Sequence, residues 1–386
     1  MATHDHEIQP GQWRRVRRYL NDHRHELTMA AQELYPGLDR VGPTPLRCPA
    51  GWRLAAPVGL AEVGLTWDPT APPARVSGTE PQSQAVRPAA RGGRRLVDYA
   101  EALAELDPPR LLDNRTCYRM TGVTFDGAAR LTFGVSTYFA GINVGEAVAH
   151  ELAAWHLGQT ARPRLADLPF RDLVGHPADL AGRAVNPAIS MLTLRKDRGG
   201  GMTFLLHRRD AALVAHGGGL YQVIPVGVFQ PSSDTAAALR ADFDLWRCAV
   251  REYSEELLGT AETCETYGRD GTAFDYDAWP LYRSLSGARE AGSLRSYLLG
   301  LGVDPLSLAT DILTVTVIDG AVFDEVFAGL AASNAEGLVL GGGDAAGRFA
   351  FTRANVERFV TSEPMQAAGA AVLSLAWQHR DQLTAA

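Results

Sequence analysis

The chain has 386 residues, 46% of them apolar, and a formal net charge of −7. That size supports a substantial core in one elaborated domain or in two or three smaller ones. The acidic balance excludes a global basic field for gathering nucleic acid, and no run approaches the ~18 apolar residues that a membrane span requires.

The N-terminal residues Met1 to His6 are polar and hold no secretory apolar segment. Cys48, Cys117, Cys248 and Cys264 are widely spaced with no Cys-x-x-Cys pair, which argues against a zinc knuckle. The expectation is a soluble cytoplasmic protein with reduced thiols. Lys196 is the only lysine beside many arginines, a coding bias of the high-GC, actinobacterial type.

Residues 11–35 read as a basic, amphipathic helix ended by Pro36-Gly37. Trp13, Val16, Leu20 and Leu27 form its apolar stripe. Arg14, Arg15, Arg17 and Arg18 could grip DNA phosphates, or face water and pair with acids while the helix docks. Residues 41–80 carry Pro and Gly at short intervals and read as an irregular, partly β wrap. Residues 79–95 read as a long loop or linker, and 96–106 as a short helix stopped by Pro108-Pro109.

From Thr116 the pattern turns β. Segments 117–123 and 130–135 flank Asp126-Gly127, a hairpin signal. Residues 145–157 are helical. Glu146, His150, Glu151 and His156 have no zinc spacing and are expected to be solvated or structural. Segments 188–194 and 202–209 form a second hairpin around Gly199-Gly200-Gly201. His216-Gly217-Gly218-Gly219 lacks the Lys-Ser/Thr of a phosphate loop and reads as a turn. Tyr221 to Gly227 reads as a strand and loop.

Residues 242–259 form the most ordered pattern in the chain. Asp242 or Asp244 can cap a helix start, and Gly259 can close its end. Trp246, Val250, Tyr253 and Leu257 recur at three- and four-residue steps as an apolar stripe. Glu252, Glu255 and Glu256 stand at i, i+3 and i+4 and share another face. Such like charges repel, and a hard divalent cation offsets the repulsion. Arg251 can reach Glu255 across one turn.

Arg251-Glu252-Tyr253-Ser254-Glu255-Glu256-Leu257-Leu258-Gly259, preceded by Pro225-Val226-Gly227, resembles the Nudix box and its upstream strand and loop. The box is degenerate: an extra residue precedes Gly259, Phe243 stands where the family has a Glu, and 230–235 reads as an inserted loop. The recognisable similarity covers roughly 185–260. It implies an α/β fold, a Nudix-like α/β/α sandwich with a mixed sheet, plus an N-terminal helical and irregular extension. The extension would span 1–112 and the elaborated domain 113–386, with its core at about 185–345. The resemblance also implies Mg²⁺ or Mn²⁺ on Glu252, Glu255 and Glu256, with the Gly227 carbonyl as a further ligand. Glu255 and Glu256 would carry catalysis, and Arg251 would be the structural partner. The implied reaction is hydrolysis of a nucleoside diphosphate-linked, nucleotide-type small molecule. The alternatives are a catalytically degenerate ligand-sensing regulator that contacts DNA, or a self-associating, homodimeric assembly protein.

Downstream, 263–280 is acidic and aromatic and reads as a lid or as a surface insertion packed by its own rings. Residues 293–300 read as a helix, 313–318 as a strong β-branched strand, and 321–331 as a helix. Glu336 is a candidate distant base. Residues 355–360 and 366–379 read as helices. Arg195, Arg208 and Arg209 are candidate phosphate contacts.

Overall fold

The computed structural model describes residues 8–89, 94–159, 162–209, 220–260, 273–330, 337–340 and 348–385. The fold is mixed α/β, with helices packed on a mixed sheet and an additional N-terminal helical segment. Its central strands are Ala188–Lys196 and Thr310–Asp319, paired in parallel with Asp311 opposite Ala188. Leu294–Val303 pairs antiparallel with Thr310–Asp319, while Val226–Val228 and Met202–Phe204 pair antiparallel with Ala188–Lys196.

Both central strands are buried at nearly every position, whichever way the side chain points. A strand buried at successive residues, whose side chains point to opposite faces, has both faces covered. On one face Tyr253 of the helix Leu245–Leu258 shares a hydrogen bond with Thr193, hydroxyl to hydroxyl at 2.7 Å. The helix Ala367–Gln378, rich in Ala and Leu and almost wholly buried, also packs on the central strands.

The second small sheet pairs Thr116–Thr124 antiparallel with Arg130–Thr137 through the expected Asp126-Gly127 turn, where Gly127 has φ +82°. Gly64–Trp67 joins it in parallel, so the 41–80 wrap is partly β as expected.

Local readings changed where tertiary pairing overrode local pattern. Residues 294–303 are a strand, not a helix. Leu294, Ser296 and Leu298 face the opposite side from their neighbours, and the segment is held by Thr310–Asp319. Residues 221–227 do not form one strand. The Ile224–Pro225 bond is cis, Tyr221–Gln222 pairs in a separate three-stranded sheet, and only Val226–Val228 joins the central one. The 202–209 return strand divides in the same way, Met202–Phe204 to the central sheet and Leu206–Arg209 to the smaller one.

The N-terminal region contributes to the same continuous core as the rest of the chain. Residues 11–35 form two helices, Pro10–Asp22 and Arg24–Ala31, broken at His23. Trp13 is fully buried, donates Nε1–H to the Val86 carbonyl at 3.0 Å, and stacks on His150 at 5.0 Å between ring centres. The partner surface is the helix Tyr138–Gly158, seven residues longer at its start than the sequence pattern indicates. Among the described residues no helix is long and apolar enough to cross a membrane.

Candidate functional site

The helix Leu245–Leu258 starts and stops as its sequence dictates. Asp244 is the N-cap and accepts the Arg247 N–H at 2.8 Å, and Gly259 closes the end in the left-handed conformation with φ +63°. Trp246, Val250, Tyr253 and Leu257 are all buried. Sinking that stripe into the core fixes the rotation of the helix and so the direction of its remaining side chains.

Arg251 is buried. It donates to the Tyr276 hydroxyl and to the Gln230 carbonyl, and its guanidinium lies 3.6 Å from Asp242. Tyr276 in turn donates to Asp242 at 2.7 Å. Asp242, fully buried, also accepts the Ser232 N–H at 2.6 Å. Asp242, next to Phe243, is the acid that faces Arg251, and the 230–235 loop is tied down through it. Phe274, Tyr276 and Trp279 pack on one another and are buried, so these rings are structural and do not form a stacking lid. Residues 261–272 lie outside the described residues.

The helix glutamates divide. Glu252 and Glu255 line a cavity of about 560 Å³, together with Gly227. A side chain at position 227 would overlap the Glu252 carboxylate, so glycine here is what lets that carboxylate lie against the Val226–Val228 backbone. Glu256 is turned into the sheet. It is buried, accepts the Val226 N–H at 2.9 Å, and lies 3.8 Å from the His207 ring. Burial pushes the Cys248 thiol on this helix up to about 12, so it is an inert group.

Part of the cavity wall comes from outside the 185–260 stretch. The first half of Tyr138–Gly158 presents Tyr138, Gly141, Gly145 and Glu146. The turn 304–310 presents Ser307 to Thr310, and the segment 110–115 crosses the rim. Gly145 is required by packing, because a Cβ there would stand 2.7 Å from the Ser307 carbonyl oxygen. That turn is held from behind by two buried arginines. Arg171 donates to the Pro305 carbonyl at 2.7 Å and to the Leu306 carbonyl, and Arg183 donates to the Leu308 carbonyl at 2.8 Å. Leu308 sits at φ +58°, a conformation that surrounding structure must impose on a branched side chain.

Glu146 accepts from both Arg17 and Arg24, and all three side chains are buried. The basic N-terminal helix therefore places one of its arginines in an internal ion cluster, and Arg14 donates to the Leu106 carbonyl at 2.8 Å. Arg15 and Arg18 remain exposed. His150 beside this cluster is held down to about 3 by burial and by the Arg17 charge, so it is neutral. Sequence reading set Glu146 aside. The signal it carried was the Gly141-x-x-x-Gly145 spacing, which clears one helix face for close approach next to Glu146.

Arg195 and Arg208 do not line the cavity. Arg195 pairs with Asp324 and Asp197, and Arg208 is an exposed strand residue. Glu336 and the 216–219 glycines lie outside the described residues.

Among the described residues no three His, Cys, Asp or Glu side chains converge as a ready-made metal cage. Mg²⁺ is commonly held by one or two carboxylates, with water and substrate phosphates completing its shell. Glu252 and Glu255 beside Gly227 meet that smaller demand.

No family model matches the chain, and no curated protein matches it. Among solved structures it is similar to a NUDIX hydrolase from Alicyclobacillus acidocaldarius, at 18% identity, covering 52% of this chain and 96% of that one, with a TM-score of 0.29. That likeness is too slight to assign a family.

Proposed function

We propose that the cavity is the site of a Nudix-type, metal-dependent hydrolase acting on a nucleoside diphosphate-linked small molecule. The observation that carries the reading is that Glu252 and Glu255, and not Glu256, face one cavity against Gly227. Glu252 and Glu255, with the Gly227 carbonyl, would hold Mg²⁺ or Mn²⁺. The chemistry a bound divalent ion supplies is charge neutralisation on a diphosphate and a more acidic water.

The chain's own groups do the remainder. Glu255 accepts the proton of the attacking water. Glu256 ties the helix to the Val226 amide and so fixes the separation of Glu252 from Gly227. Arg251, through Asp242 and Tyr276, fixes the rotation of the helix about its axis and is a positioning residue. The turn 304–310 and the glycine face of Tyr138–Gly158 close the far wall.

The test is Mg²⁺-dependent phosphate release across nucleotide sugars and dinucleotides, with Glu252→Gln and Glu255→Gln compared against wild type. The expected result is turnover by the wild type and a loss of at least ~100-fold in each variant, with the folded signal intact. Equal turnover in Glu255→Gln overturns the role assigned to it. No turnover by the wild type on any substrate with either metal overturns hydrolysis.

A further inference from the structure

At about 560 Å³ the cavity is in the size range of sites that take a whole small molecule rather than a single ion. Away from Glu252, Glu255 and Gly227, a stretch of its wall is apolar. Leu111 and Leu112 come from the rim segment, Tyr138 and Ile142 from the start of the helix Tyr138–Gly158, and Leu308 from the turn 304–310. Tyr138 and Ile142 stand four residues apart and share a helix face. The Tyr138 N–H donates to the Arg115 carbonyl at 2.8 Å and the Phe139 N–H to Asn114 Oδ1 at 2.9 Å, which sets the rim segment against the start of that helix. One turn further along, Gly145 lies against the Ser307 carbonyl, which brings the turn 304–310 to the same helix. The three segments that carry these side chains therefore meet along one helix.

Leu111 is 51% exposed, and of the large apolar side chains left exposed among the described residues it is the one that lines the cavity. Leu112 and Tyr138 are half-buried, and Ile142 and Leu308 are buried. The strip thus has a packed floor and an open edge, and the open edge is apolar area that a ligand can remove from water. Leu308 holds its side chain in this wall on a backbone, φ +58°, that glycine adopts without cost. Charges of both signs edge the strip: Arg110 and Asp113 flank the two leucines and are exposed, and Arg115 donates to the Ser232 carbonyl at 3.0 Å. A wall that is apolar and aromatic in the middle and charged at its margin suits a ligand group with an apolar π-face and a polar edge.

We infer that this strip seats the planar heteroaromatic base of a nucleotide ligand, with the face of the base against Leu111 and the Tyr138 ring. The inference rests on the hydrolase reading for the ligand being a nucleotide, and it adds the residues that select for the base. A sugar in the same place would leave Leu111 and Tyr138 against hydroxyls that they cannot hydrogen-bond through their apolar surfaces.

The experiment is saturation-transfer difference NMR on the full chain in EDTA with adenosine, uridine and ribose, each titrated to give a dissociation constant. None of the three carries a phosphate and no metal is present, so the signal is independent of turnover. Wild type, Leu111→Asn, Tyr138→Ala and the Glu252→Gln/Glu255→Gln double variant are compared. Leu173→Asn, at an exposed leucine off the cavity, is the control. The expected result is saturation of the base protons of at least one nucleoside, with ribose bound more weakly. Binding weakens roughly fivefold in Leu111→Asn, from the lost apolar burial, and roughly tenfold in Tyr138→Ala, from the lost ring–base stack. It is unchanged in Leu173→Asn and in the glutamine variant. Leu111 is exposed, so its replacement tests the strip without disturbing the core. No nucleoside binding by wild type, ribose bound as tightly as the nucleosides, or equal binding by Leu111→Asn and wild type overturns the base seat. Mg²⁺-dependent phosphate release from nucleotide sugars is read in a separate assay. Turnover without nucleoside binding sinks the seat and leaves hydrolysis standing, whereas nucleoside binding without turnover does the reverse.

Discussion

On the wall formed by Leu245–Leu258, polar side chains reach the cavity from a helix whose own spacing sets their direction. On the wall formed by Tyr138–Gly158, the helix comes close because Gly141 and Gly145 remove side chains, and its cavity-lining acid, Glu146, is bound from behind by arginines more than a hundred residues away. The first wall is a product of local periodicity. The second is a product of tertiary packing, and its charges serve first to hold the N-terminal helices in place. The difference predicts that changes on the second wall act mainly on stability and changes on the first mainly on activity.

The sharpest way to break that contrast is Glu146→Ala. It leaves Arg17 and Arg24 buried without their shared carboxylate, and removing one partner of a buried ion cluster costs about 3–5 kcal/mol. Urea unfolding monitored by tryptophan fluorescence measures it. A loss under about 1 kcal/mol shows that water reaches the cluster and that the second wall is not held by it.

Next in size is Gly145→Ala, where the new methyl group meets a backbone carbonyl that cannot swing aside. Overpacking of this kind costs about 1–3 kcal/mol. The companion change, Gly227→Ala, meets a side-chain carboxylate instead. Glu252 can rotate away, so the expected stability loss is under about 1 kcal/mol, whereas metal-dependent turnover falls at least ~10-fold because the carboxylate leaves the Gly227 backbone. Equal effects of the two alanines on stability and on turnover would erase the distinction between the walls.

Legibility in the sequence follows the same division. The ends of Leu245–Leu258, its buried stripe and the cavity-facing Glu252 and Glu255 were readable, because a capped helix with a clear stripe has one orientation on a sheet. The division of Glu256 from its neighbours was not readable, since it depends on where the Val226 amide stands. Asp242 was visible only as one of two acids able to cap the helix start, and its pairing with Arg251 and Tyr276 was not. The strand Leu294–Val303 reads locally as a helix because Leu294, Arg295, Leu298 and Leu299 are good helix formers, and it is pairing with Thr310–Asp319 that makes it a strand. The Arg17 and Arg24 ion cluster left no local trace, since nothing near either arginine in sequence announces Glu146.

The buried His150 gives a pH test of the second wall. Its folded value of about 3 lies below the ordinary histidine value, so the unfolded chain binds the extra proton between those limits. Stability is therefore full above about pH 6.5 and falls as pH drops, by up to ~1.4 kcal/mol per pH unit in that window. Replacement by Gln flattens the slope between pH 5 and 6.5, read from urea midpoints. An unchanged slope would place the proton-linked loss elsewhere in the molecule.

The smallest expected effect concerns the outer face of the first helix. Arg17 is enclosed by the ion cluster, whereas Arg15 and Arg18 on the same helix face water. The double change Arg15→Ala/Arg18→Ala removes no buried partner, and surface changes of this kind stay within about 0.5 kcal/mol. It also removes the exposed charge that a DNA-contacting helix would use, so filter retention of duplex DNA at low and moderate salt is measured on the same protein. With two of the helix's arginines already directed at Glu146 and Leu106, retention should be negligible before the change and the same after it. Salt-sensitive retention that disappears in the double variant would instead give the helix two independent roles, an inner face that holds the cavity wall and an outer face that meets phosphate.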